Sequence, residues 1–341
     1  MKADRGEPVS ATRRAILNRG FLVICLAATS MAVIILAVLI VSITVKGLPW
    51  IVDAAAIKAT FSSSASGAGE AAGSWKGWIR WEFFTEYTSY KAKNAGILAP
   101  LIGSIWAVAI CSLLALPIGV GTAVYLEEFA PRNRLTRLIE TNIRNLAGVP
   151  SIVYGILGLS AFARMFGAFG SDGNVEFGNP EQWYYLRMPF GQSVLAGGLT
   201  LMLVILPIII IASQESFRAI PKSLRQASLA MGATQWQTVW NVSLPAAIPM
   251  VLTGAILAVS RAVGEAAPLL VLGVPAYIAS TPNNLMSDFT VLPFQIYTWA
   301  GRPQDDFREL AAAAIIVLLV VLLSFNAIAV LIRQKLHRQL T

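Results

Sequence analysis

The chain has 341 residues, of which 56% are hydrophobic and 13% charged, a formal net charge of +8 and a mean hydropathy of +0.66. Ordinary soluble domains carry about 25% charged residues, so a single soluble core is excluded and lipid is the expected solvent. The positive balance does not mark a nucleic-acid binder, because the cations are scattered along loops between apolar stretches rather than gathered on a soluble domain.

A helix needs about 20 apolar residues to traverse about 30 Å of hydrocarbon. Six stretches meet that requirement, at 21–45, 97–125, 146–168, 193–213, 246–272 and 311–332. The first follows a basic segment, 1–20, with Arg13, Arg14 and Arg19, and is too long for a signal peptide. The 46–96 loop after it contains a Ser/Ala/Gly-rich run from Phe61 to Ser74 that is expected to be flexible. Trp75, Trp78 and Trp81 then recur every third residue, with Phe83, Phe84 and Tyr87 behind them, and are expected to anchor at the membrane interface.

Cys25 and Cys111 lie inside apolar spans without paired spacing and read as packing residues. Pro117 with Gly119 and Gly121, Pro207 and Pro268 mark positions where spans can kink. At the end of the second span, Glu127 and Glu128 beside Arg132 and Arg134 read as a solvated charge cluster. In the third, Ser151 and Gly155 make a small-xxx-small face and Tyr154 offers a hydroxyl; helix packing and the lining of a transport pathway both remain open for them.

The loop 214–245 places Leu224, Ala227 and Met231 at helical spacing, with Arg218, Lys222 and Arg225 nearby, and reads as one or two surface helices. Its Q-A-S-x3-G run, Gln226, Ala227 and Ser228 through Gly232, is followed after nine residues by V-S-L-P ending at Leu244 and Pro245. A short amphipathic helix of this kind fits a groove in a partner; Gly232 permits a turn and Pro245 can start the next helix. The spacing is similar to the E-A-A-x3-G-x9-I-x-L-P coupling loop of ABC importer permeases, with Gln226 at the usually acidic position.

Arg261 and Glu265 are the only charged residues well inside any predicted span. Such residues are costly in hydrocarbon, so a function is their default reading. Their i, i+4 spacing lets them pair. On a helical wheel, Gly254, Ala258, Gly264 and Pro268 share their face with bulky Leu257, while Leu252, Ile256, Val259, Val263 and Leu270 lie opposite. The pair is therefore expected to face the bundle interior and the aliphatic side to face lipid. A guanidinium fork suits a tetrahedral oxyanion, and Glu265 can hold the arginine between cargo events; an internal clamp that never touches cargo is the alternative.

With both termini on the cytoplasmic side, inside segments hold fifteen cations against six acids, net +9, and outside segments ten against eleven, net −1. Positive charge gathers on the cytoplasmic side, so both termini are expected there. No G-x-x-x-x-G-K-[ST] loop, H-E-x-x-H or G-x-S-x-G run occurs, and His337 stands alone in the basic tail. The chain is thus expected to be no enzyme and to hold no cofactor or metal of its own.

Y-L-E-E-F-A-P-R-N-R at Tyr125 to Arg134, N-L-A-G-V-P-S-I-V-Y-G-I-L-G-L at Asn145 to Leu159, and S-R-A-V-G-E-A-A-P-L-L at Ser260 to Leu270 together resemble the PstA-type permease of phosphate-specific ABC transporters. The resemblance implies an all-α integral membrane protein with six transmembrane helices, of the type I, MetI-like importer fold, in a bacterial inner membrane. The importer domain would span 97–341. It implies as partners a PstC-type permease, two PstB-type ATPase subunits that bind ATP and Mg, and a periplasmic phosphate-binding protein. Inorganic phosphate would be the cargo. It also associates Arg261 and Glu265 with phosphate passage. Sulfate or molybdate permeases are the nearest rivals. An ion-gradient-driven transporter also suits an interior Arg–Glu pair, and a non-transporting membrane sensor or scaffold would tolerate the loop.

Overall fold

The structure is a computed structural model that describes residues 11–53, 78–167, 175–179, 182 and 184–340. The Phe61–Ser74 run and Trp75 lie outside the described residues. Five helices are long and apolar enough to cross a membrane, and six when one bent pair counts as a single span. The six-span reading is thereby met, and the fold is an all-α membrane bundle.

Helix α1, Ala11–Ile51, contains the whole first predicted span and, from Asn18 on, leaves nearly all of its apolar side chains exposed. It meets the rest of the chain at its far end. There Gly47 lies against α12, Asp305–Leu340, so closely that an added Cβ would come within 2.6 Å of the Ala312 backbone. Trp50 Nε1 donates to Glu309 at 3.1 Å beside that contact.

The centre is built on α3, Leu98–Val124, and α6, Val194–Arg218. In lipid no hydrophobic force drives helices together, so small residues that admit close approach decide which pair. Ala107, Cys111 and Ala115 are fully buried on α3, as are Val194, Ala196 and Ile205 on α6. Gly198 faces Ile110 and Gly119 faces Ile209, in each case with a Cβ's place already taken at 2.6 Å. Cys111 thus packs in the core; Cys25 is exposed on α1, and both thiols are free. Between α1 and α3, the short α2, Trp81–Thr85, carries Phe83. Contrary to interfacial anchoring, Phe83 is buried in one cluster with Trp299 and Leu310, because α2 folds back onto the bundle; Trp81 stays exposed.

Two predicted spans are broken. The third, 146–168, is preceded by α4, Arg134–Ala147, and bends by 102° into α5, Ser151–Gly158, which a wider π turn extends through Ala163. Pro150 explains the bend: it has no N–H to give the Leu146 carbonyl four residues back, and its ring clashes there. A β-hairpin, β1 Val175–Phe177 with β2 Leu186–Met188, follows α5. The fifth span, 246–272, divides into α9, Leu244–Val263, and α10, Ala267–Leu272, after the short α7, Lys222–Ala230, and α8, Gln235–Thr238. Here Pro268 stands four residues beyond Gly264 and ends the continuous helix in the same way. A further helix, α11, Leu292–Ala300, went unread in the sequence because nine residues are too few for a span.

The two breaks meet. Gly155 on α5 lies against the start of α10, where an added Cβ would come within 2.7 Å of the Pro268 carbonyl oxygen and 2.8 Å of its Cα.

Candidate functional site

Arg261 occupies the last turn of α9, where a cation complements the negative end of the helix dipole. Glu265 follows in the break, its N–H bonded to the Ala262 carbonyl at 3.3 Å. The side chains come together as the spacing requires, with Arg261 Nε 3.9 Å from Glu265 Oε2. The glutamate side chain is 16% exposed and the arginine 52% exposed.

The direction of the pair differs from expectation. Val259 and Val263 of the supposed lipid face are buried in the core, together with Ala255, Ala258 and Ala262. Met250, Leu257 and Arg261 form the outward stripe, with Gly254 of the arginine's face against Ala212 of α6. Arg261 therefore points away from this chain's own bundle, while Glu265 stays largely covered by it. The physical reason lies in packing: α9 turns its alanine-rich stripe to its neighbours, while Ser260 bonds Asn326 of α12 on one flank. An arginine cannot stand in hydrocarbon without a partner or water. Exposed irregular backbone, here at Gly264, is likewise tolerated at membrane depth only against protein or a water-filled cavity. Both features require something other than lipid at this surface.

Of the other residues proposed to line a pathway, Ser151 is half-buried in the first turn of α5, one turn before Gly155. Tyr154 is 6% exposed and donates its hydroxyl to the Leu146 carbonyl at 2.8 Å, the group beside the Pro150 break. Its geometry is that of a clamp on the bend.

The loop 214–245 folds as two short helices. Along α7, Leu224, Ala227 and Met231 form an exposed apolar stripe, with Met231 88% exposed, and Gln226 is exposed on another side. Gly232 ends the helix at φ +86°, a left-handed conformation that costs glycine no strain, and no atom lies within 4 Å of where its Cβ would be. Thr234 and Gln237 form a reciprocal capping box on α8, and the Ser228 and Thr238 hydroxyls meet at 2.9 Å across the turn. Leu244 and Pro245 open α9 as the spacing suggested.

Sequence reasoning missed the connection between this loop and the second span. Glu127 and Glu128 sit in a π turn, Tyr125–Phe129, at the end of α3 and are not a solvated cluster with Arg132 and Arg134. Glu127 pairs with Arg218 at 2.6 Å and Glu128 with Arg225 at 2.7 Å, their side chains only 15% and 7% exposed. The π turn rotates both carboxylates towards α6 and α7. Arg225 also donates to the Phe217 carbonyl at 2.7 Å and to Ser243 Oγ at 3.4 Å, and Gln235 Nε2 donates to the Glu128 carbonyl. The only sequence signal was a pair of acids at one span end and cations about a hundred residues later. Among the described residues, no group of three or more His, Cys, Asp or Glu could hold a metal ion.

Residues 115–338 match the family described as binding-protein-dependent transport system inner membrane component. The chain belongs to this family. As a permease component it is 31% identical to the probable ABC transporter permease protein YqgI of Bacillus subtilis, over 77% of this chain and 86% of that one. It is also 31% identical to the phosphate transport system permease protein PstA 1 of Mycobacterium tuberculosis, over 70% of each. It is 29% identical to PstC of Pasteurella multocida, over 72% and 78%. Among solved structures, a bacterial alginate ABC transporter in complex with an alginate-bound periplasmic protein aligns with 92% of this permease and 94% of its own chain. The TM-score is 0.58 at 14% identity, a likeness of fold. The permease is thus an inner-membrane transport component with the ABC importer fold.

Proposed function

We propose that this permease is the PstA-type half of an ATP-driven importer of inorganic phosphate. The observation that carries the reading is the Arg261–Glu265 pair at a helix break, its arginine half-exposed on a face its own bundle leaves uncovered and its glutamate largely buried. A second, PstC-type permease covering that face would enclose the pair between the two subunits and remove it from lipid. The relatives named phosphate permeases support the cargo, and the guanidinium fork supports a tetrahedral oxyanion. Glu265 accepts the hydrogen of a protonated phosphate, which fully ionised sulfate cannot offer. Ser151 lines the approach and Tyr154 positions the bend.

A PstB-type ATPase pair binds ATP and Mg and grips the α7 stripe around Ala227, with Gln226, Ser228 and Gly232 shaping the loop. A periplasmic phosphate-binding protein delivers cargo to the opposite side, and both termini lie in the cytoplasm. ATP-driven reorientation then exposes Arg261 to one side and the other in turn.

The test is ATP-dependent uptake of radiolabelled phosphate into proteoliposomes holding the whole transporter, with sulfate as competitor. Uptake that resists sulfate and falls at least about tenfold in Arg261→Gln, with Arg261→Lys partly active, supports the reading; the loss expected of one charge-assisted contact is about 1.5–3 kcal/mol. Normal uptake in both variants overturns the site. Glu265→Gln that keeps full discrimination against sulfate overturns its role as acceptor.

A further inference from the structure

A second feature lies at the end of the bundle that carries the 214–245 loop. The π turn that follows α3, together with α4, α6 and α7, lines an open cavity of about 480 Å³, within the range of roughly 300–1,000 Å³ usual for small-ligand sites. Arg132, Arg137, Arg218, Lys222 and Arg225 line it, against the carboxylates Glu127 and Glu140. The carboxylates are already engaged, since Arg218 lies 2.6 Å from Glu127 and 3.7 Å from Glu140. Arg225 is held by Glu128.

That leaves Arg132, Arg137 and Lys222, none of which forms an ion pair among the described residues. Cations converging on one cavity repel each other, and an anion placed among them relieves that repulsion. The field is reinforced by α4, fourteen residues long, whose N-terminal end opens on the same cavity through Asn133 and Thr136. Two arginine forks set around one space favour a tetrahedral oxyanion over a single carboxylate.

We infer that this cavity binds a phosphate group, borne either by free inorganic phosphate or by the head of an anionic phospholipid. The site is separate from Arg261 and does not depend on what Arg261 carries. Lys222 and Arg225 belong to α7, so occupancy bears on the position of the helix that presents Ala227 and Met231. An anion drawing Arg225 inward competes with Glu128 for it. The cavity then reports phosphate or lipid to the coupling loop.

The test uses the assembled transporter carrying Arg261→Gln, which removes the pathway candidate from every arm. This parent is compared with the same protein bearing Arg132→Gln, Arg137→Gln and Lys222→Gln. All three positions are exposed and outside the ion pairs of Glu127 and Glu128, and equal thermal midpoints confirm that folding is intact. In phosphatidylcholine nanodiscs, radiolabelled inorganic phosphate is titrated into each. In nanodiscs containing phosphatidylglycerol, the lipid retained after solubilisation is counted by native mass spectrometry. Saturable phosphate binding that weakens at least about tenfold in the triple variant, as loss of charge-assisted contacts requires, supports the site with the free anion as ligand. Phosphatidylglycerol retained by the parent and lost by the triple variant supports it with lipid as ligand. Parent and triple variant behaving alike in both arms overturns it.

Discussion

Replacing Arg225 with alanine tests whether the 214–245 loop is tied to the second span through one buried charge. The substitution leaves Glu128, 7% exposed, with its carboxylate facing no cation, and takes a donor from the Phe217 carbonyl. Breaking a buried pair from one side costs about 3–5 kcal/mol. Arg225 is itself 22% exposed at the edge of a hydrated cavity, so screening reduces the expected loss to about 2–3 kcal/mol. Adding Glu128→Gln removes the stranded charge and is expected to restore about half of that loss, the remainder being hydrogen bonds of about 1 kcal/mol each. Stability is read from unfolding in mixed detergent micelles, and coupling from the ratio of phosphate taken up to ATP hydrolysed. The transporter assembled with the single variant should consume ATP with little uptake, and the double variant should recover stability more than coupling. A loss below about 0.5 kcal/mol, or a double variant no more stable than the single, refutes the reasoning.

Two further substitutions separate structure from transport at the broken spans. Gly155→Ala forces a methyl group into the contact with Pro268, where 2.7 Å is available, and should destabilise by about 1–3 kcal/mol as overpacking does; detergent unfolding and uptake should fall together. Tyr154→Phe removes the 2.8 Å bond to the Leu146 carbonyl and should cost about 0.5–1.5 kcal/mol, while the KM for phosphate stays unchanged; a raised KM would place the hydroxyl on cargo.

The count of six spans was legible because lipid demands one long apolar run per crossing, and hydropathy records that demand directly. The breaks were less so. Pro268 was noted as a kink and Pro150 was passed over, though each acts on the carbonyl four residues behind it. The face of α9 was misjudged for a different reason. A wheel separates Arg261 from Val259 but does not say which side meets this chain and which meets another. The buried Ala255, Ala258 and Ala262 stripe held that information in their size. The pairing of Glu128 with Arg225 could not be read at all, since it depends on a π turn and on helices brought together across nearly a hundred residues. The 214–245 loop was the most legible local feature, because Gly232 and Pro245 act through backbone geometry that the residue type itself dictates.

The meeting of the two breaks limits how the bundle can move. With no room for even a methyl group between Gly155 and Pro268, α5 and α10 cannot slide past one another, because packed surfaces of this density are not continuously deformable. They must travel as one rigid block. The non-helical joints 148–150 and 264–266 lie at the near ends of that block. Glu265 belongs to one of these joints and Arg261 to the helix on its other side. Flexing that joint opens or closes the distance between carboxylate and guanidinium, so the separation of the pair and the bending of the backbone are a single degree of freedom.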